Sequence, residues 1–167
     1  VQDSIYDAFA KKLTERVASM KVGDGMDNGV EQGPIIDQQG FAKIVAHIDD
    51  ARAKGATVTT GGVPHERGGT FFAPTVLTGM DNSMKLFSEE TFGPVAGLFK
   101  FSDEAEVIAA ANDTEFGLAA YLFTKDAARL FRVSEALAYG IVSVNTGIFS
   151  SEVGPFGGLK KSGRGRR

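Results

Sequence analysis

The residues with the most chemistry in their spacing are Glu89-Glu90-Thr91-Phe92-Gly93-Pro94, two acids and an aromatic leading straight into the strand-like run that begins at Val95. A carboxylate at the mouth of a sheet can accept hydrogen bonds from sugar hydroxyls, and an aromatic beside it can stack on a planar ring. The same residues also fit two solvated acids and a core phenylalanine before a turn, and on chemistry alone that plainer assignment is preferred. The second such stretch is NTGIFSSEVGPFGGLKKSGRG, residues 145–165. Its glycines let backbone approach a ligand or a neighbouring domain closely. Phe149 and Phe156 could wall an apolar tunnel in which Ser150 or Ser151 donates a hydrogen bond. An exposed loop with its aromatics tucked underneath fits equally well, and both alternatives stand.

Several self-contained chemistries fail. The sequence of 167 residues has no cysteine, which removes disulfides, thiolate metal sites and any thiol nucleophile supplied by this chain. GxGxxG and GxSxG are absent. GGLKKSG has a Lys-Ser pair without the glycine that a phosphate loop needs before it. The acids of DGMDNG are wrongly spaced for a calcium hand. The two histidines, His47 beside Asp49 and Asp50 and His65 in HERGG, have no spaced metal partner, and both are expected at the surface. No catalytic residue and no metal ligand is therefore assigned.

Composition agrees with an ordinary globular chain, 43% hydrophobic and 23% charged. The net charge of −3 hides five basic residues in the last eight positions; the remainder carries thirteen basic against twenty-one acidic side chains. An acidic body is a poor nucleic-acid surface, because phosphate binding needs cations spread over a face. No apolar run approaches a bilayer span and no leader is visible, so no nucleic-acid or membrane partner is expected, and the location expected is cytoplasmic.

The elements that must position these residues alternate. Ile5, Phe9, Leu13 and Val17 predict a helix over 4–20, capped by Asp3 or Ser4. Phe41, Ile44, Val45 and Ile48 predict a second helix, with Gly55 as its C′ residue. Thr57–Thr60, a Gly61-Gly62 turn and a run around Thr70–Leu77 follow, and Pro74 within that run predicts an edge or irregular strand. Then come a strand at Val95–Phe101, a helix at Asp103–Ala111 with Asp103 and Glu106 as a capping box, a strand at Leu118–Thr124, a helix at Asp126–Tyr139 and a strand at Ile141–Val144. This order predicts an α/β fold, a parallel sheet with covering helices. In such sheets function collects beyond the carboxyl ends of the strands, which singles out 100–103, 124–126 and the long loop 145–165, read as having no helical or strand period.

Taken together, EETFGPV (89–95), NDTEFGLAAYLFTKD (112–126) and GIVSVNTG followed by PFGGLKKSG (140–163) resemble the aldehyde dehydrogenase superfamily, in its order and spacing. GDGMDNGVEQGPIID, HERGG and NTGIFSSEV are most similar to its succinate-semialdehyde dehydrogenases. The resemblance covers well under half of a usual family chain. It implies that residues 1–167 are part of the aldehyde dehydrogenase catalytic (substrate) domain. The cysteine nucleophile, the water-activating glutamate and the cofactor domain would then lie upstream, and a terminal oligomerisation strand downstream.

In the family, a thiolate attacks the aldehyde, hydride passes to the nicotinamide of NAD or NADP, and the thioester is hydrolysed. By resemblance Glu90 matches the glutamate that holds the nicotinamide ribose, and Phe92 the aromatic near that ring, which reverses the plainer assignment. Ser150 matches a serine that helps hold the substrate's distal carboxylate, and Phe156 a tunnel-wall aromatic. The implied parent is a homo-oligomer oxidising a small carboxylate-bearing aldehyde, succinate semialdehyde first, and the isolated chain would be inactive. Arg167 departs from the family pattern, which has an acid there. A non-catalytic binding module of the same fold is the alternative; a nucleic-acid binder working through the KKSGRGRR tail is a weaker third.

Overall fold

The computed structural model describes residues 1–148, 154 and 156–163. They form two compact units, residues 1–102 and 103–167, described in turn.

The first unit is a three-layer stack. Helix α1 (Asp3–Ala18) and helix α2 (Gln38–Ala53) cover the two faces of a sheet of β1 (Thr57–Thr60), β2 (Thr75–Met80) and β3 (Val95–Phe99), ordered β1-β2-β3. A one-turn helix α3 (Lys85–Ser88) lies in the β2-to-β3 connection. β2 is antiparallel to β1 and parallel to β3. Alternation along β2 splits the core: Val76 packs with Tyr6 of α1 and Leu98, while Leu77 packs with Ile44, Ile48, Ala51 and Phe72 on the α2 side. Burying each such large side chain is worth about 1.5–3 kcal/mol relative to leaving it in water.

Several expectations hold. Gly55, at φ +99°, is the left-handed residue after α2, whose other end, for which no cap was expected, is capped by Asp37 accepting from the Gly40 N–H at 2.7 Å. β1 has the expected bounds. Other expectations need correction. α1 is capped by neither Asp3 nor Ser4; its N-cap is Gln2, and Asp3 begins the helix with its N–H on the Phe101 carbonyl at 2.8 Å. The predicted apolar stripe of α1 is also rotated. Tyr6 is buried and Ala10, Leu13 and Val17 pack beside it, while Ile5 and Phe9 are exposed. Tyr6 wins the inner position because its hydroxyl can be satisfied there, donating to the Leu98 carbonyl and accepting from the Gly79 N–H, both at 2.9 Å.

Pro74 does not mark an edge. It precedes β2, the central strand of three, with Thr75, Val76, Leu77 and Met80 buried; the other alternative, an irregular strand, does hold, since the β2 ladders with both β1 and β3 shift register. A proline just outside a strand removes no ladder donor, and the ladder starts with the Thr75 N–H on the Pro94 carbonyl at 2.8 Å.

In the second unit, α4 (Glu104–Asn112) is capped by the Asp103 carboxylate on the Glu106 N–H at 2.9 Å. β4 (Phe116–Gly117) and β5 (Ala119–Leu122) follow, then α5 (Ala127–Ala136), capped by Asp126, and β6 (Ile141–Val144). β5 and β6 pair in parallel, the crossover being α5. The 145–165 stretch is not without strand: β7 (Leu159–Lys160) pairs antiparallel with β4. Two residues are too few to show a period, so only the partner strand reveals it.

Candidate functional site

The segment 88–95 leaves α3 through Glu89, whose backbone is extended, and bends at Gly93-Pro94, where the Val95 N–H reaches the Gly93 carbonyl at 2.9 Å, into the amino end of β3. Its entry is tied down: the Glu89 N–H reaches the Lys85 carbonyl at 2.8 Å, and the Lys85 N–H reaches the Asp50 carboxylate of α2 at 2.8 Å. Alternate residues of the segment meet different surroundings. Glu89 and Thr91 turn onto α2 and meet one residue there, His47. Its Nδ1 lies 2.6 Å from Thr91 Oγ1 and its Nε2 lies 3.1 Å from Glu89 Oε2. Gly93, next on the same side, presses on Ile44, one turn back along α2; a Cβ at position 93 would stand 2.3 Å from Ile44 Cδ1. The exit is fixed by the Pro94 carbonyl on β2.

Glu90 and Phe92 turn the other way, into solvent, with Phe92 79% exposed. A phenylalanine this exposed is not the core residue of the plainer assignment. The arrangement presents a carboxylate and an aromatic ring two residues apart from a backbone pinned between them. Such a pair can accept hydrogen bonds from vicinal hydroxyls and cover a flat ring.

His47 corrects the sequence analysis, which expected it at the surface. It is 2% exposed. A carboxylate only accepts, so Nε2 carries the hydrogen toward Glu89, and Nδ1 in that tautomer accepts from the Thr91 hydroxyl. The signal was legible: His47 falls on the same helical face as Ile44, Ile48 and Ala51, three and four residues apart. The neighbouring acids Asp49 and Asp50 suggested a wet face instead. His65 lies in a turn, its Nδ1 3.2 Å from the Arg67 N–H.

Of the other predicted site residues, Phe156 is described and 58% exposed. Ser150, with Phe149 and Ser151, lies outside the described residues. The start of the long loop is fastened by Asn145, which adopts φ 55°. Its side-chain amide brackets Thr124, accepting from the N–H and donating to the carbonyl, each at 2.9 Å. The loops after β5 and β6 are thereby joined at the carboxyl ends of these strands. The glycines near the end of the loop serve the chain itself: a Cβ on Gly140 would stand 2.0 Å from the Gly157 carbonyl oxygen. Lys160 donates to the carbonyls of Asn112 and Thr114 at 2.8 and 3.0 Å, and Lys161 pairs with Glu115.

Among the described residues no group of three or more His, Cys, Asp or Glu is placed to hold a metal ion, and no helix is long and apolar enough to cross a membrane. A shallow groove of about 430 Å³, lined by Tyr6, Lys11, Thr14, Glu15, Thr59 and Thr78 among others, shares no residue with the 88–95 segment.

The model of the aldehyde dehydrogenase family matches residues 1–167. The chain is 60% identical over 166 residues to the NADP(+) succinate-semialdehyde dehydrogenase GabD of Escherichia coli, covering 99% of this chain and 34% of the relative. It is 55% identical to the glutarate-semialdehyde dehydrogenase of Pseudomonas aeruginosa, with the same coverage. The crystal structure of succinate-semialdehyde dehydrogenase from Burkholderia pseudomallei superposes with a TM-score of 0.97 at 54% identity, covering 99% of this chain and 34% of that one. The chain thus spans about a third of the length of the curated relatives it matches.

Proposed function

Since the chain belongs to the aldehyde dehydrogenase family, we propose that it forms part of the catalytic domain of a longer NAD(P)-dependent enzyme that oxidises a carboxylate-bearing aldehyde, succinate semialdehyde to succinate in the first instance. The observation that carries this is the outward pair Glu90 and Phe92, set on a segment whose other side is fastened to α2. The donor set suits a nicotinamide nucleotide: a solvent-facing carboxylate for the ribose hydroxyls and an exposed ring for the nicotinamide. Bound NAD or NADP would supply the hydride acceptor. Glu90 orients that group by accepting from its ribose, and Phe92 shields one side of its ring from water.

On the aldehyde's side, Ser150 donates to the distal carboxylate and Phe156 lines the approach. The names of the relatives favour this substrate class, because succinate and glutarate semialdehydes both carry a carboxylate away from the reacting carbonyl. The enzyme is proposed to be a cytoplasmic homo-oligomer. Exposed Ile5 and Phe9 on α1, and Phe123 and Phe131 in the second unit, favour a segment of a larger assembly over a free-standing binding module, which would keep such side chains covered.

The test is aldehyde-dependent formation of reduced nicotinamide by the longer polypeptide carrying this chain, with succinate semialdehyde, glutarate semialdehyde and an uncharged aldehyde of similar length. The expected outcome is a kcat/KM at least about tenfold higher for the carboxylate-bearing substrates, since a charge-assisted contact is lost with the third. No reduction with any aldehyde overturns the proposal, and equal rates overturn its substrate class. The 167-residue chain alone, having no thiol, is expected to give no turnover; activity that survives repurification would contradict this.

A further inference from the structure

The geometry points to His47 as a positioning residue that sets the direction of Glu90 and Phe92, and so the affinity of the site for its nicotinamide nucleotide. This rests on the assignment of those two residues to the cofactor. Glu90 lies between the two residues that His47 holds, Thr91 through Nδ1 at 2.6 Å and Glu89 through Nε2 at 3.1 Å. With Glu89 and Thr91 both held on one imidazole, the backbone of the single residue between them has little conformational freedom left. Phe92 is bracketed likewise, by Thr91 on His47 and by Gly93 against Ile44.

The imidazole suits this task because it is rigid and buried. It rises from a helix between Ile44 and Ile48, both 1% exposed, and so has little freedom of its own to lose. Its two nitrogens point at two partners of different chemistry, a carboxylate and a hydroxyl, which only one tautomer satisfies together. Glu89 is half-exposed, its side chain 49% accessible, so the bridge is not demanded by a buried charge in need of neutralising. What it does is hold residues 89–91 against α2, where among the described residues no backbone ladder does so. Without it, residues 89–92 must be ordered by the cofactor itself, and that conformational entropy is subtracted from binding.

The experiment uses the full-length enzyme carrying this chain, with His47→Leu, His47→Gln and Glu90→Gln. Calorimetric titration with NADP, and NAD in parallel, reads the dissociation constant without aldehyde; amide hydrogen exchange reads the order of residues 89–92. His47→Leu is expected to weaken binding of the preferred nucleotide about tenfold, the loss of two hydrogen bonds to an ordered segment, and to speed exchange across 89–92 with the rest of α2 unchanged. His47→Gln, whose amide can still donate to Glu89, is expected to recover part of both. The change should fall on the KM for the nucleotide rather than on the KM for the aldehyde.

Wild-type affinity in His47→Leu while Glu90→Gln weakens binding overturns the positioning role and leaves the cofactor assignment standing. Unchanged affinity in Glu90→Gln overturns that assignment instead; exchange then decides alone whether the latch exists, and unchanged exchange in His47→Leu refutes it. Should His47→Leu fail to fold, Thr91→Val cuts one arm at a half-buried position and carries the same expectations at a smaller size.

Discussion

The contact between Gly93 and Ile44 offers a sharp test of how the outward pair is held. A methyl group added at Gly93 would stand 2.3 Å from Ile44 Cδ1 and 2.9 Å from Cγ1, both well inside van der Waals contact. Cδ1 could swing away by rotation about χ2, but Ile44 is 1% exposed and packed among Ile35, Ile48 and Phe72, so little space receives it. Cγ1 moves only with χ1, which a β-branched residue in a helix holds nearly fixed. Either the segment lifts from α2 or α2 shifts, and overpacking of this kind costs about 1–3 kcal/mol. Gly93 is not among the residues with positive φ, so the cost is steric and not a penalty of backbone conformation.

That separation allows a cycle. Ile44→Val removes Cδ1, the nearer atom, and alone costs about 0.5–1.5 kcal/mol as a cavity. In the double variant the new methyl partly fills that space, so the two costs should fall short of their sum by about 1 kcal/mol. The assay is urea unfolding of wild type, both single variants and the double variant, followed by far-ultraviolet circular dichroism, with slopes compared to confirm the same transition. Additivity within about 0.3 kcal/mol, or a stable Gly93→Ala, would show that the segment does not bear on Ile44 and would refute the reasoning.

Acid should act on the second unit through Glu104, whose carboxylate is held below the ordinary range by hydrogen bonds chiefly from Arg132, at 2.6 and 3.0 Å, and then from Arg129 at 2.8 Å. A depressed folded pKa means stability that is complete above the unfolded value, about pH 4, and lost as pH falls through the folded one; Glu104→Gln should flatten that part of the stability curve, and an unchanged acid profile would contradict it. Gly61→Ala should destabilise more than Gly93→Ala, because Gly61 has φ +70° and its Cβ would meet the Pro74 carbonyl oxygen at 2.2 Å, a backbone atom that no rotamer moves. Urea midpoints in the reverse order would count against this.

Much of the architecture was legible because it rests on local rules. Helix α2 and its end at Gly55, the cap of α4 at Asp103 and the bounds of β1 and β6 follow from period, capping chemistry and glycine, all of which act within a few residues. The motif around Glu90 and Phe92 was legible as a pattern of residue types. Which way its side chains turn was not. Nothing within the segment chooses a side, and only the presence of His47 and Ile44 on α2, more than forty residues earlier, assigns Glu89, Thr91 and Gly93 inward and Glu90 and Phe92 outward.

The same reason accounts for the misread elements. Tyr6 displaced Ile5 and Phe9 from the inner face of α1 because its hydroxyl finds Leu98 and Gly79, partners that sequence proximity cannot supply. Pro74 stands before a central strand because its neighbour Thr75 meets Pro94. β7 exists because β4 pairs with it. By itself the sequence determined the longer helices and strands, their order and the residues able to do chemistry, since these depend on covalent neighbours, while the short α3, β4 and β7 escaped it. Tertiary structure alone decided which face of each element is buried and which groups point out to solvent, because burial is a property of partners distant along the chain.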